Sequence, residues 1–469
     1  MAKEKSIAKE LKNDLFYTKK NAGLIIKDDE IKKSESFSEK YKNFLNKAKT
    51  EREAIEYTLE VVKEKGFIEY KKGMALNKGD KIYLNNRGKA IILAVIGENS
   101  IGNGFNICAA HIDSPRIDLK QCPLYEDSEL ALFKTHYYGG IKKYQWTAIP
   151  LALHGVVVKS NGTIVKVNIG EDEEDPVFCV TDLLPHLAEE QMKRPLAQGI
   201  KGEELNILIG SVPFKDNGES ELVKLNIMKI LNQKYDITEA DFLSAELEAV
   251  PAFKAKDIGF DRSMIGAYGH DDRVCAFTAL QAILKCNEPK TTSVVILTDK
   301  EETGSDGNTG LKSAYLKYFL YDLAEDLGGK GRDVISRSKC LSADVNAAFD
   351  PTFPEVLEKR NAAHINYGVV VTKFTGSRGK AGTSDASAEY VAFVRNLFDK
   401  NKIVWQTGEL GRVDLGGGGT VAAYVANLNI DTIDVGVPVL SMHAPFEVVS
   451  KIDVYMTYKA FSAFLNDKS

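Results

Sequence analysis

Thr292-Ser-Val-Val-Ile-Leu-Thr-Asp-Lys-Glu-Glu-Thr-Gly-Ser305 carries a short apolar, β-branched run that stops at two adjacent glutamates. Residues 294–297 read as a strand of a parallel sheet, because a strand covered on both faces is apolar without alternation. Ligands of open α/β sheets sit beyond the carboxyl ends of the strands, so Glu301 and Glu302 fall where chemistry is placed, and Gly304 lets the chain turn sharply behind them. Two neighbouring carboxylates in such a place need a cation or a proton. The fold class that follows is α/β, with a mixed, mostly parallel sheet and helices on both faces.

Upstream, Ile7, Leu11 and Leu15 are spaced for a short amphipathic helix, either an arm or a loose end. Ser36 with Glu39 and Thr50 with Glu53 have capping-box spacing and each predicts a helix start. Residues 81–97 alternate into strands, and a further strand, 106–110, runs into Ala-His111-Ile-Asp113-Ser-Pro115. From 118 to 260 the texture changes to hairpin signals such as Ser160-Asn-Gly162 and Asp216-Asn-Gly218, interrupted by a more helical piece at Asp182-Leu-Leu-Pro-His186-Leu187. The chain therefore divides into an α/β domain of residues 1–117 and 261–469 and an inserted β-rich domain of residues 118–260. The α/β texture resumes at Tyr268-Gly-His-Asp271-Asp-Arg273, continues through Ser342-Ala-Asp344, and ends with a strand over 432–440 that delivers Ser441-Met-His443.

Composition narrows the partners. The 469 residues are 44% hydrophobic and 27% charged, with a net charge of -5 and interspersed signs, which excludes a general polyanion binder such as a nucleic-acid protein. Six scattered cysteines include no CxxC pair and read as reduced packing residues. No apolar run approaches a membrane span and no leader pattern opens the chain, so the expectation is a cytoplasmic protein.

Each of His111, Asp271, Glu302, Asp344 and His443 lies at an expected strand end or strand-to-helix turn, with Asp113 and Glu301 beside two of them. Two imidazoles and three carboxylates form the ligand set of a two-metal hydrolytic site for borderline ions such as zinc. Three carboxylates carry minus three, which two divalent cations with one hydroxide balance; without metal, converging buried carboxylates would take up protons.

His-Ile-Asp-Ser-Pro at 111, Asp-Asp-Arg at 271, Glu-Glu-Thr-Gly-Ser at 301, Ser-Ala-Asp at 342 and Ser-Met-His at 441 resemble, in order and spacing, the aspartyl aminopeptidase family of di-zinc exopeptidases. The resemblance implies the zinc exopeptidase type of α/β domain, with the insertion serving dimerisation and as a lid. It implies that Asp271 bridges two ions, that His111 and Asp344 complete one, and that Glu302 and His443 complete the other. Asp113 would orient His111, and Glu301 would be the general base. The cofactors would be two divalent ions, zinc before cobalt or manganese. The activity would be removal of N-terminal residues from peptides, with a preference for N-terminal Asp or Glu. The assembly would be a homo-oligomer, a dodecamer built from dimers. A related di-zinc amidohydrolase acting on small acylated amines, or an inactive assembling scaffold, are the rival readings.

Substrate contacts are assigned to three further places. Lys373 leads the basic loop 373–380, with Arg412 behind it, as the cation for an acidic side chain. Gly418 stands for the run Gly416-Gly-Gly-Gly-Thr420, which lacks the Gly-Lys-Ser/Thr of a phosphate loop and would bring backbone close to substrate. His186 matches the Pro-His-Leu of the family's insertion, which reaches a neighbouring subunit.

Overall fold

In the computed structural model, which describes residues 7–99, 102–216, 218–376 and 378–467, the alternation of the central strands decides the packing. Val295 and Leu297 face one hydrophobic core while Val294 and Ile296 face another, and the same division separates Ile91, Leu93 and Val95 from Ile92 and Ala94. A strand buried on both faces needs helices on both, and the chain supplies them. One face packs against helices Asp28–Lys47, Glu51–Glu64, His270–Leu284, Ala388–Lys400 and Lys451–Leu465, the other against Tyr315–Asp326, Gly331–Ile335 and Ala422–Ala426.

The sheet between them has nine strands in the order Ile68–Glu69, Lys81–Asn86, Ala90–Val95, Thr292–Thr298, Phe105–His111, Lys339–Ser342, Asp431–Gly436, Val369–Thr372 and Trp405–Thr407. Its middle four strands are mutually parallel, and antiparallel neighbours flank them on both sides. Thr298 lies opposite His111, so these two strands end at the same level.

A second sheet of seven strands draws on residues between Arg116 and Pro251, in the order Ile164–Ile169, Leu151–Val158, Ala245–Pro251, Arg116–Asp127, Leu130–Tyr138, Ile207–Gly210 and Cys179–Val180. It has its own core around Trp146, Leu151, Phe133 and Phe242. A third sheet of five short strands, Lys256–Ile258, Met264–Ala267, Glu447–Ser450, Pro438–Leu440 and Asn346–Ala347, lies beside the first.

Several local expectations change. The segment expected as one strand over 432–440 breaks at Val437, so that Asp431–Gly436 belongs to the large sheet and Pro438–Leu440 to the small one. An apolar run cannot announce a change of sheet partner. The Ser36 and Glu39 spacing does not start a helix: Asp28–Lys47 is continuous, with Lys27 before it and Phe37, Tyr41, Phe44 and Leu45 buried along one stripe. Burial of that stripe outweighs a local cap. Thr50 and Glu53 do form the expected box. The turn expected at Asp216-Asn-Gly218 includes Asn217, and the basic loop includes Ser377; both residues lie outside those described. Residues Ile7–Leu15 form a helix with no buried residue. The chain then returns to the body, where Tyr17 stacks on Trp405 and Lys19 donates to the carbonyls of Ala362 and Thr407. No helix among the described residues is long and apolar enough to cross a membrane.

Phe277 sits where Phe37, Tyr41 and Phe44 meet the helix His270–Leu284, with ring centroids 5.3–5.4 Å away. Phe277→Ala should therefore destabilise the fold by about 3–5 kcal/mol, read as a lower denaturant midpoint at an unchanged slope. A loss below about 1 kcal/mol would show that this cluster does not anchor the helix.

Candidate metal centre

Three carboxyl ends of the large sheet and two turns of the small one supply the site. Phe105–His111 ends on His111, Thr292–Thr298 leads into a single 3-10 turn of Glu301–Thr303, and Lys339–Ser342 leads to Asp344. Lys300 and Gly304, both at positive φ, bracket the glutamate turn. From the small sheet, Met264–Ala267 feeds the start of the helix His270–Leu284, where Asp271 and Asp272 leave helical geometry, and Pro438–Leu440 feeds the turn that holds His443.

The five ligand candidates converge. Ligand atoms of His111, Asp271 and Asp344 lie within 4.8 Å of one another, and so do those of Asp271, Glu302 and His443. Asp271 belongs to both groups: its Oδ1 is 3.1 Å from His111 Nε2 and its Oδ2 is 3.1 Å from His443 Nε2. Glu302 Oε2 stands 3.7 Å from His443 Nε2, and Glu301 Oε2 stands 3.8 Å from His111 Nε2.

Both imidazoles are turned by carbonyls. His111 Nδ1 is 3.1 Å from the carbonyl of Asp113, and His443 Nδ1 is 2.8 Å from the carbonyl of Gly140. A carbonyl can only accept, so each Nδ1 carries a proton, and Nε2 is the nitrogen turned toward Asp271 at the centre. Asp113 lies beyond the strand end, and its carboxylate is 3.4 Å from His111 Nδ1. Its shorter contacts fix the glutamate turn: Oδ1 accepts from Glu301 N and Oδ2 from Glu302 N, each at 3.2 Å, while Tyr138 Oη donates to Oδ2 at 2.8 Å.

Charge decides what the cluster can hold. Burial drives Glu302 and Asp344 well above the ordinary carboxylate range, with Asp271 adding to the rise at Glu302 and Asp272 to that at Asp344. Burial likewise lifts Glu301 to about 7, helped by Asp271 and Asp113 and opposed by His111. Burial lowers His443, but Asp271 and Glu302 more than reverse this and raise it to about 10. His111 rises in the same way, through Asp113 and Asp271. Without a cation the cluster must keep protons, and Glu302 Oε1 is buried with no hydrogen-bond partner. Nitrogen and oxygen donors of these types, with too few protein donors to neutralise them, fit a divalent ion such as zinc.

Sequence reasoning missed three contributors. Glu447, buried, accepts from Asp271 N at 3.1 Å and from His443 N at 2.7 Å, and so ties together two turns of the site. Tyr138 ends a strand of the seven-stranded sheet, and Gly140 follows it by two residues. Nothing distinguishes these residues in the sequence, because a glutamate on a strand and a tyrosine before two glycines have ordinary structural roles.

The expected substrate contacts are not part of the cluster. Lys373 pairs with Asp385, as does Lys380 at 2.8 Å. Gly416 packs backbone to backbone on Gly411, where a Cβ on Gly416 would lie 2.4 Å from the Gly411 Cα; Gly418 lies against Leu410. His186 is exposed in the turn Pro185–Leu187.

Comparison with known proteins bears on the same chemistry. The family model described as Aminopeptidase I zinc metalloprotease (M18) matches residues 44–465. A relative in Clostridium acetobutylicum is 51% identical over 463 residues, spanning 97% of this chain and all of that one. The crystal structure of an M18 aminopeptidase from Thermotoga maritima superposes with a TM-score of 0.91 at 44% identity, covering 96% of this chain and 100% of that one. At 21% identity, the S. cerevisiae mApe1 dodecamer shares the fold alone, with a TM-score of 0.74 over 92% of this chain and 97% of that one. The chain thus belongs to the M18 family of zinc metalloproteases, and it is a zinc-dependent aminopeptidase.

Proposed function

We propose that the centre holds two divalent ions, with zinc in both positions, and that Asp271 lies between them. The observation that carries this reading is the shared carboxylate of Asp271, whose two oxygens face different imidazoles at equal distance. His111 and Asp344 would complete one position, Glu302 and His443 the other. Once bound, the ions would acidify water and polarise the scissile carbonyl.

The chain's own residues do the rest. Glu301 is the general base: its carboxylate stands 3.8 Å from His111 Nε2 and is left over by the ligand set, and its backbone N–H is fixed on Asp113. It removes a proton from the attacking water and returns one to the leaving amine. Asp113 keeps Glu301 and Glu302 in register with His111, so that Glu302 would be held for an ion and Glu301 left for proton transfer. The remaining carboxylate charge suits the free α-amine of a peptide.

We assign residues 1–117 and 261–469 to catalysis and residues 118–260 to dimerisation and to a lid. Exposed Leu183, Leu184, Leu187 and Met192 surround His186 there, an apolar surface that favours burial by a second copy. The assembly is a cytoplasmic dodecamer built from dimers; a dodecamer is the form solved for the fold neighbour mApe1. Substrates with an N-terminal Asp or Glu are preferred, and Lys373 carries that preference. Its loop carries Lys373, Arg378 and Lys380, of which Lys373 and Lys380 share the single carboxylate of Asp385, which leaves positive charge for a substrate carboxylate.

Glu301→Gln should retain zinc and lose about 10²–10⁴-fold in kcat, as read by metal analysis beside aminoacyl-anilide hydrolysis; near-normal turnover would remove Glu301 from its role. Asp271→Ala should lose bound zinc, and a variant that keeps two ions per chain would refute the shared position. Light scattering of the wild-type chain should give about twelve times its 51.7 kDa mass, whereas a monomer at working concentration would overturn the assembly. Because Lys373 is half exposed, Lys373→Ala should cost only about fivefold in kcat/KM on an N-terminal Asp substrate, as for a solvent-screened pair worth ~1 kcal/mol. It should leave a Leu substrate unchanged; equal losses on both would make Lys373 structural.

A further inference from the structure

The end of one strand of the seven-stranded sheet touches both halves of the metal centre. Leu130–Tyr138 runs antiparallel to Arg116–Asp127, with Tyr138 opposite Arg116. The guanidinium of Arg116 lies 3.9 Å from the centre of the Tyr138 ring and is itself held by Asp118 at 2.8 Å and Glu248 at 3.1 Å, with Glu51 at 3.6 Å. The tyrosine ring therefore has little freedom, and its hydroxyl is aimed at Asp113 Oδ2 at 2.8 Å. Asp113 in turn fixes the backbone of Glu301 and Glu302 and supplies the carbonyl on His111. Two residues on, the carbonyl of Gly140 sets the proton of His443 on Nδ1. Between them Gly139, at φ +74°, lies so close to Glu302 that a Cβ there would stand 3.2 Å from Glu302 Cβ and Oε2.

One short segment thus contacts the partner of His111, the flank of Glu302 and the outer nitrogen of His443. Its residues offer no ligand to an ion. Their effect is to remove freedom from the groups that do: rotation of the His443 ring, choice of its tautomer, and displacement of the glutamate turn. Outer partners of this kind set the affinity of a metal site by about 10–100-fold. Resting on the metal reading above, we infer that Tyr138, Gly139 and Gly140 are positioning residues of the zinc centre, so that ion affinity depends on the seven-stranded sheet being in place against the α/β core.

The test uses the full chain freed of metal by chelator dialysis, with Tyr138→Phe as the variant and Tyr137→Phe as the control. Phenylalanine keeps the ring under Arg116 and deletes only the hydroxyl. Tyr137 is partly exposed and its hydroxyl makes no hydrogen bond among the described residues. Zinc affinity is read by competition against a chromogenic chelator, and the thermal midpoint of each metal-free protein is measured alongside. The expected result is zinc affinity weakened at least about tenfold in Tyr138→Phe, with a metal-free midpoint equal to that of the control and wild-type affinity in Tyr137→Phe. A lowered metal-free midpoint with zinc affinity within twofold of wild type would make Tyr138 merely structural and overturn the inference. Wild-type protein that binds no zinc would overturn it too, and that result alone would also remove the metal reading on which it rests.

Discussion

The site depends on one carboxylate placed between two imidazoles. Asp271 has an imidazole nitrogen 3.1 Å from each of its oxygens, and the group it forms with His111 and Asp344 and the group it forms with Glu302 and His443 share it. That arrangement is costly without a cation, because a buried carboxylate surrounded by Asp344, Glu301 and Glu302 can be neutralised only by protons on its neighbours. The fold accepts the cost because rigid elements hold each group. Three mutually parallel strands of the nine-stranded sheet end within two residues of one another in register, and Glu447 holds the backbone of Asp271 and His443 in one carboxylate.

Hydrogen bonds by backbone carbonyls then do what the ligands cannot do for themselves. A histidine presents Nε2 to an ion only while Nδ1 keeps its proton, and at both histidines a carbonyl enforces that choice. One of those carbonyls, that of Gly140, lies two residues past a strand of the seven-stranded sheet. The β-rich segment and the α/β core therefore meet at the chemistry itself as well as along their packed surfaces.

The sequence was most informative where periodicity and chemistry coincide. The run before Glu301 and Glu302 is a buried strand, parallel to one neighbour and antiparallel to the other, and the residues His111, Asp271, Glu302, Asp344 and His443 converge from positions up to 332 apart. For His111, Glu302 and Asp344 such convergence is legible because strand ends are where an α/β sheet gathers distant residues; Asp271 and His443 arrive instead from turns of the small sheet. Less could be read where the partner decides the outcome. The break at Val437 depends on which sheet each half joins. The cap signal at Ser36 yields to a buried aromatic stripe. Tyr138, Gly140 and Glu447 act through contacts with residues far along the chain, and their own neighbours in sequence give no sign of it. Lys373 shows the converse: its charge was visible, but not the Asp385 that answers it.

The most direct test of the central claim is the anomalous scattering of zinc in crystals of the wild-type chain, recorded on either side of the zinc absorption edge. The account predicts two peaks per chain, one on each side of the Asp271 carboxylate, separated by roughly 3.5–4 Å as in other two-metal hydrolytic sites. A single peak, or two peaks with Asp271 bound to only one of them, would contradict it.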